Sequence, residues 1–131
     1  MPPTLHLRLA LAGLCALGAQ AQEQVRCAVD YGGEVRNLSA GPSADPYQVG
    51  STAIGSYFLF RIVFETVPRE TAAIKLYTYA DRDEGPTLIH QASYPYPLRS
   101  QSGRYGFTGL QTVYEPMRDG ELQYWCHLEG K

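Results

Sequence analysis

Long hydrophobic runs are missing from this sequence of 131 residues. Its most apolar stretch, residues 9–18, is well short of the roughly 20 residues that a membrane-spanning helix needs. Runs of lysine or arginine are missing too, and 11 basic and 13 acidic side chains give a formal net charge of −2. The chain therefore lacks the basic footprint of a protein that binds nucleic acid or anionic lipid. We expect neither a nucleic-acid partner nor a permanent membrane span.

Catalytic and cofactor motifs are also missing. The sequence has no G-x-S-x-G nucleophile elbow and no phosphate-binding glycine loop of the dinucleotide or P-loop pattern. A hydrolase would need a base beside its nucleophile, and beyond residue 21 only His90 and His127 are histidines. Both lie in alternating segments, which favours surface or edge positions. The sequence thus favours a protein that is not an enzyme and has no cofactor.

Residues 1–21 have the pattern of a signal peptide. A weakly basic start is followed by the apolar stretch and by the A-Q-A triplet at positions 19–21, a typical cleavage site. Cys15 could suggest a lipoprotein, but Leu14 precedes it where bacterial lipid attachment requires a small residue. We therefore predict an exported protein, periplasmic or extracellular, whose mature part, residues 22–131, forms one domain.

Cysteine is scarce, with three in the whole chain. Cys15 leaves with the signal peptide, and an even pair in an oxidising compartment, Cys27 and Cys126, predicts a disulfide. A redox pair would be expected close together in sequence, as in C-x-x-C. We therefore expect a structural bridge, which in the chain-entropy model contributes up to about 4.7 kcal/mol for a loop of about 100 residues.

Alternation of apolar and polar side chains predicts β-strands along the mature chain. It is clearest in residues 57–65, where Phe58, Phe60, Ile62 and Phe64 share one side. The other predicted strands are residues 25–30, 73–80, 87–94, 111–115 and 121–128. Gly, Pro and Asp-Gly signals at 81–86 and 116–120 predict hairpin turns. The pattern predicts an all-β fold, a small antiparallel β-sandwich of about six to eight strands.

The segment Tyr124-Trp125-Cys126, with Asp119 upstream, resembles the Y-x-C of the tyrosine corner in immunoglobulin domains. The resemblance covers one strand. The core tryptophan expected soon after the first cysteine is missing, and the cysteines lie farther apart than in an immunoglobulin domain. An immunoglobulin-like arrangement is the first expectation for the sandwich, without membership of that family.

Tyrosine is abundant, with ten in the chain. Tyrosine offers a large contact area at a low entropy cost, so it is favoured at recognition surfaces. Lys75, Tyr77 and Tyr79 share the non-core face of one predicted strand, and Trp125 and His127 share that of the last. If the two strands belong to one sheet, these side chains form an aromatic patch for a protein or a glycan. Alternatively, they are ordinary residents of half-buried strands.

Two long loops are predicted, residues 36–52 and 95–103, and such loops are either binding surfaces or poorly ordered. The first contains Asn37-Leu38-Ser39, an acceptor motif for N-glycosylation in a eukaryotic secretory pathway.

The leading hypothesis is a binding or accessory domain that recognises a protein or glycan through the aromatic face or the loops. One rival is an inhibitor of a cell-wall hydrolase, or a small hydrolase, that uses the first loop. Another is copper or zinc handling by His90 and His127, since imidazole suits both metals, if their strands are neighbours.

Overall fold

The computed structural model describes residues 2–4, 13, 22–101 and 103–130. Most of the predicted signal peptide lies outside these residues. In the part of the chain described, no helix has the length and apolar character to cross a membrane. The described residues form eight strands: β1 (Gln24–Tyr31), β2 (Glu34–Ala40), β3 (Thr52–Ile54), β4 (Phe58–Glu65), β5 (Ala73–Arg82), β6 (Gly85–Pro95), β7 (Gln111–Glu115) and β8 (Gly120–Glu129).

The strands form two antiparallel sheets that pack face to face, so the predicted small β-sandwich is confirmed. One sheet has the order β2-β1-β8-β7 and holds the first and last strands, and we call it the terminal sheet. The other, the central sheet, has the order β3-β4-β5-β6. The chain shares the layered architecture of immunoglobulin domains but not their strand order, which places A, B, E and D in one sheet and C, F and G in the other.

The core lies between the sheets and is built from the apolar side of each strand. Phe58, Phe60 and Phe64 of β4 are buried, as their alternation predicts. The terminal sheet contributes Val25, Cys27, Val29, Val113, Leu122, Tyr124 and Cys126. The strands predicted from alternation correspond to β1, β4, β5, β6, β7 and β8, because one buried face repeats every second residue.

Cys27 and Cys126 form the predicted disulfide, with an S–S distance of 2.02 Å. The two residues lie directly opposite each other in β1 and β8. The bridge therefore joins neighbouring strands of the terminal sheet, whereas the immunoglobulin disulfide joins two sheets. It fastens the first strand of the domain to the last.

The predicted loop at residues 36–52 is wrong in its first part, because the chain up to Ala40 belongs to β2. This strand lacks a clear apolar face, and even Val35 is 47% exposed. It forms because its backbone pairs with β1 along its full length, from Val25↔Ala40 to Tyr31↔Glu34. Only residues 41–51 remain as the connection to β3.

The second predicted loop is longer than expected and runs from residue 96 to residue 110. Residues of this loop form hydrogen bonds with the backbone of the part of β8 that is not paired with β7. Phe107 N donates to the carbonyl of Cys126, and Cys126 N donates to Thr108 Oγ1, both at 3.0 Å. The side-chain amide of Gln101 donates to the Leu128 carbonyl and accepts from Leu128 N, both at 2.8 Å. At Gly106 a Cβ atom would lie 2.0 Å from the Cys126 oxygen, so this close approach requires glycine.

Candidate functional site

The candidate binding residues lie on opposite sides of the sandwich. Tyr77, Tyr79 and Lys75 belong to β5 in the central sheet, and Trp125 and His127 belong to β8 in the terminal sheet. All five alternate with buried neighbours, so they point to the outer face of their own sheet. The two strands do not belong to one sheet, so these side chains form two separate surfaces and not one combined aromatic patch.

The two histidines do not form a pair. A β-bulge at β6 aligns His90 with Thr78, a buried residue of β5, and so turns His90 toward the interior. His90 Nε2 lies 2.7 Å from the hydroxyl of Tyr124, and burial lowers the pKa of His90. His127 is on the outer face of the other sheet. The described residues include no group of three or more His, Cys, Asp or Glu that could hold a metal ion.

The outer face of the central sheet carries neighbouring aromatic and aliphatic side chains. The rings of Tyr77 and Tyr79 are nearly parallel, with centroids 6.3 Å apart and an interplanar angle of 18°. Tyr79 is aligned with Leu59 on one side and with Leu88, which is 47% exposed, on the other. We call this surface the tyrosine face; its members are Leu59, Arg61, Tyr77, Tyr79 and Leu88.

Arg61 connects the tyrosine face to the loop of residues 41–51. Its guanidinium carbon lies 5.0 Å from the centroid of the Tyr77 ring. Its Nε donates to the carbonyl of Val49 at 2.8 Å, and its Nη2 donates to the carbonyl of Pro46. The loop is thereby held beside the sheet through a charged donor, and such hydrogen bonds are among the stronger ones in proteins.

The same loop presents Tyr47, whose side chain is 90% exposed. Tyr47 follows Pro46 in a single 3₁₀ turn, and Asp45 caps this turn by accepting a hydrogen bond from Tyr47 N at 3.0 Å. Sequence reasoning did not single out Arg61 or Tyr47. The only signal for Arg61 was a basic residue in the middle of the clearest strand, and for Tyr47 its place after a Pro in the first loop.

The outer face of the terminal sheet has an aromatic pair of another kind. Tyr105 lies edge-on to Trp125, with ring centroids 5.5 Å apart and an angle of 76°. Trp125 is aligned with Ala28 on β1, a small residue. The guanidinium of Arg104 lies 5.3 Å from the centroid of the Tyr105 ring. Trp125 and His127 are therefore accompanied by residues of the 96–110 loop, and Tyr77 and Tyr79 are not.

An ion pair with a buried carboxylate connects the two hairpin tips. Glu115 is 0% exposed, and its Oε1 accepts hydrogen bonds from Met117 N at 3.0 Å and from Arg82 Nη2 at 3.1 Å. Burial alone would raise the pKa of Glu115, but these two donors and the charge of Arg118 outweigh it and lower the pKa. Arg118 also donates to the carbonyl of Asp81 at 2.7 Å. This pair links β5 and β7 across the sheets, so its role is structural.

A scan against protein-family models and searches of curated proteins and solved structures return no match for this chain.

Proposed function

We propose that the chain is an exported, non-enzymatic binding domain that holds a partner protein on the tyrosine face and on Tyr47. The observation that carries the proposal is the arrangement around Arg61. Arg61 lies over the ring of Tyr77, one of the stacked tyrosine pair, and hydrogen-bonds the loop that presents the exposed Tyr47, so this one side chain connects the two aromatic parts of the surface.

The composition of this surface supports a protein partner. Interface centres are enriched in Tyr and Arg and depleted of Lys, Glu and Asp, which gather at the rim. The row Leu59, Tyr79 and Leu88 is uncharged, whereas Lys75 and Glu65 lie toward one end of the same face. Tyrosines already held in place lose little entropy on binding, and pre-ordered contact residues favour affinity.

Export is part of the same proposal. The disulfide between Cys27 and Cys126 supports it, since disulfides persist in oxidising compartments. The A-Q-A triplet before residue 22 supports it as well.

Site-specific photo-crosslinking in the native compartment tests the partner surface. A photoreactive phenylalanine analogue is placed at Tyr47 or Tyr79, with Tyr114 as the matched control. Tyr114 is 52% exposed and lies on the outer face of the opposite sheet. We expect one protein to crosslink from positions 47 and 79 and not from 114. The crosslink from position 47 should be lost in the Y77A/Y79A variant. Equal crosslinking from all three positions, or none from 47 and 79, would contradict the proposal.

A glycan is the second candidate ligand. The outward-facing pair of Trp125 and Tyr105, with the small Ala28 beside Trp125, favours it because aromatic rings can stack on sugar rings. A glycan array run with the Y77A/Y79A and Trp125→Ala variants separates the two ligands. Signal that Trp125→Ala removes and the tyrosine variant keeps would assign a sugar to the terminal sheet.

A further inference from the structure

A cleft of about 400 Å³ lies beside the end of β6, away from the tyrosine face. Its lining includes Tyr94, Pro95, Pro97, Leu98, Arg99 and Phe107. Tyr94 and Phe107 form one wall, edge to face with ring centroids 5.2 Å apart, and both pack against the hydrophobic core. The volume is within the range of about 300–1,000 Å³ that is typical of small-molecule sites.

The loop that completes the cleft is fixed on both sides. Tyr96 N donates to the carbonyl of Ala72 at 3.0 Å, and the Tyr96 ring packs edge-on against Phe64 at 5.1 Å. At the other end, Gln101 makes its two hydrogen bonds to Leu128. The cleft is therefore formed before any ligand arrives, which reduces the entropy lost on binding.

Arg99 gives the cleft its electrostatic character. It is the charged member of the lining. The ion pairs among the described residues are Arg26 with Glu129 and Arg82 with Glu115, so Arg99 has no acidic partner there. The nearby acid, Glu23, lines a separate depression that shares Pro97 and Leu98. Glu23 accepts a hydrogen bond from the Tyr96 hydroxyl at 2.6 Å and so is engaged elsewhere. Apolar walls with a free cation at the mouth complement a ligand that is apolar at one end and anionic at the other.

We propose that this cleft binds a small organic carboxylate with an aromatic or aliphatic body. The body lies against the wall of Tyr94 and Phe107, and the carboxylate accepts hydrogen bonds from Arg99. Guanidinium matches the planar geometry of a carboxylate, which it can bind through two parallel N–H groups. The site is independent of the partner protein proposed above, so either proposal can fail alone.

A pair of matched probes tests the proposal by titration followed by NMR. 1-Naphthoate and 1-naphthylmethanol share an apolar body and differ in charge. The wild-type protein should bind the carboxylate more tightly, by up to about fivefold, the range that an exposed ion pair supplies. Amide shifts should cluster between residues 94 and 107. Arg99→Gln should make the two affinities equal, whereas Arg104→Gln, which removes a neighbouring arginine outside the lining, should keep the preference.

Several results would overturn this assignment. They are equal affinities in the wild type, a preference that survives Arg99→Gln, shifts that map elsewhere, or no binding of either probe at millimolar concentration. If Arg99→Gln fails to fold by circular dichroism, Arg99→Ala provides the second test. It also removes the guanidinium, so it should abolish the preference for the carboxylate, and a preference that survives it would overturn the assignment.

Discussion

His90 lies in an environment that its place in an alternating segment does not predict. A bulge in β6 turns the imidazole toward the core, where it meets the Tyr124 hydroxyl and lies opposite Thr78. Thr78 Oγ1 is itself buried, without a hydrogen-bond partner in the described part of the chain. A polar cluster therefore lies within an apolar interior, and burying it favours the neutral form of the histidine.

This environment predicts a pH dependence of stability. The pKa of His90 is lowered by burial from its ordinary value of 6.5, so the unfolded chain takes up the proton first. The contribution of neutral His90 to the free energy of unfolding is then fully present above pH 6.5. It decreases as the pH falls below 6.5 toward the folded-state pKa. The urea midpoint should therefore be lower at about pH 5.5 than at about pH 7.5. His90→Gln should lose most of this difference, whereas His127→Gln should retain it. An equal pH response in all three proteins would contradict the role of His90.

At the scale of elements, Arg61 helps to hold residues 41–51 against the central sheet, together with the backbone hydrogen bond from Ser43 to Phe64. Arg61→Met keeps the length of the side chain but removes the donors to Val49 and Pro46. Losing hydrogen bonds from a charged donor weakens the local closed state by about 1.5 kcal/mol, or about tenfold in exchange rate. Hydrogen exchange should therefore accelerate at the amides of Ser43 and Val49, which are bonded to Phe64 and Pro46. Lys75→Met, on the same face, should leave these amides unchanged, and equal acceleration in both variants would contradict the expectation.

The elements differ in how far the sequence predicts them. β4 and β5 were predictable, because each buries one face and such burial produces an alternation of apolar and polar residues in the sequence. β2 was not, because an exposed edge strand is stabilised by backbone pairing, which leaves no apolar pattern. The sequence also did not predict which strands belong to which sheet. This partition depends on pairing between residues far apart, such as Cys27 with Cys126, and it separates Tyr77 from Trp125.

At the scale of the whole molecule, the disulfide closes nearly the entire domain, since its cysteines are 99 residues apart in sequence. Replacing both Cys27 and Cys126 by alanine should lower the free energy of unfolding by about 2–5 kcal/mol. Urea unfolding of the two proteins measures the difference. Reductant should lower the midpoint of the wild type and leave that of the variant unchanged. If both proteins unfold at the same midpoint without reductant, the bridge does not constrain the unfolded chain as expected.

The position of this bridge also determines how the domain responds to mechanical load. Gln24 is paired with Glu129, so the two ends of the domain leave from the same edge. A force that pulled them apart would separate β1 from β8 one residue pair at a time, starting with the partners of Gln24, Val25 and Arg26 in β8. The next pair is Cys27 with Cys126, where the covalent bond takes the tension. The rest of the sandwich, including the surface around Arg61, is thereby shielded from a force applied between the two ends.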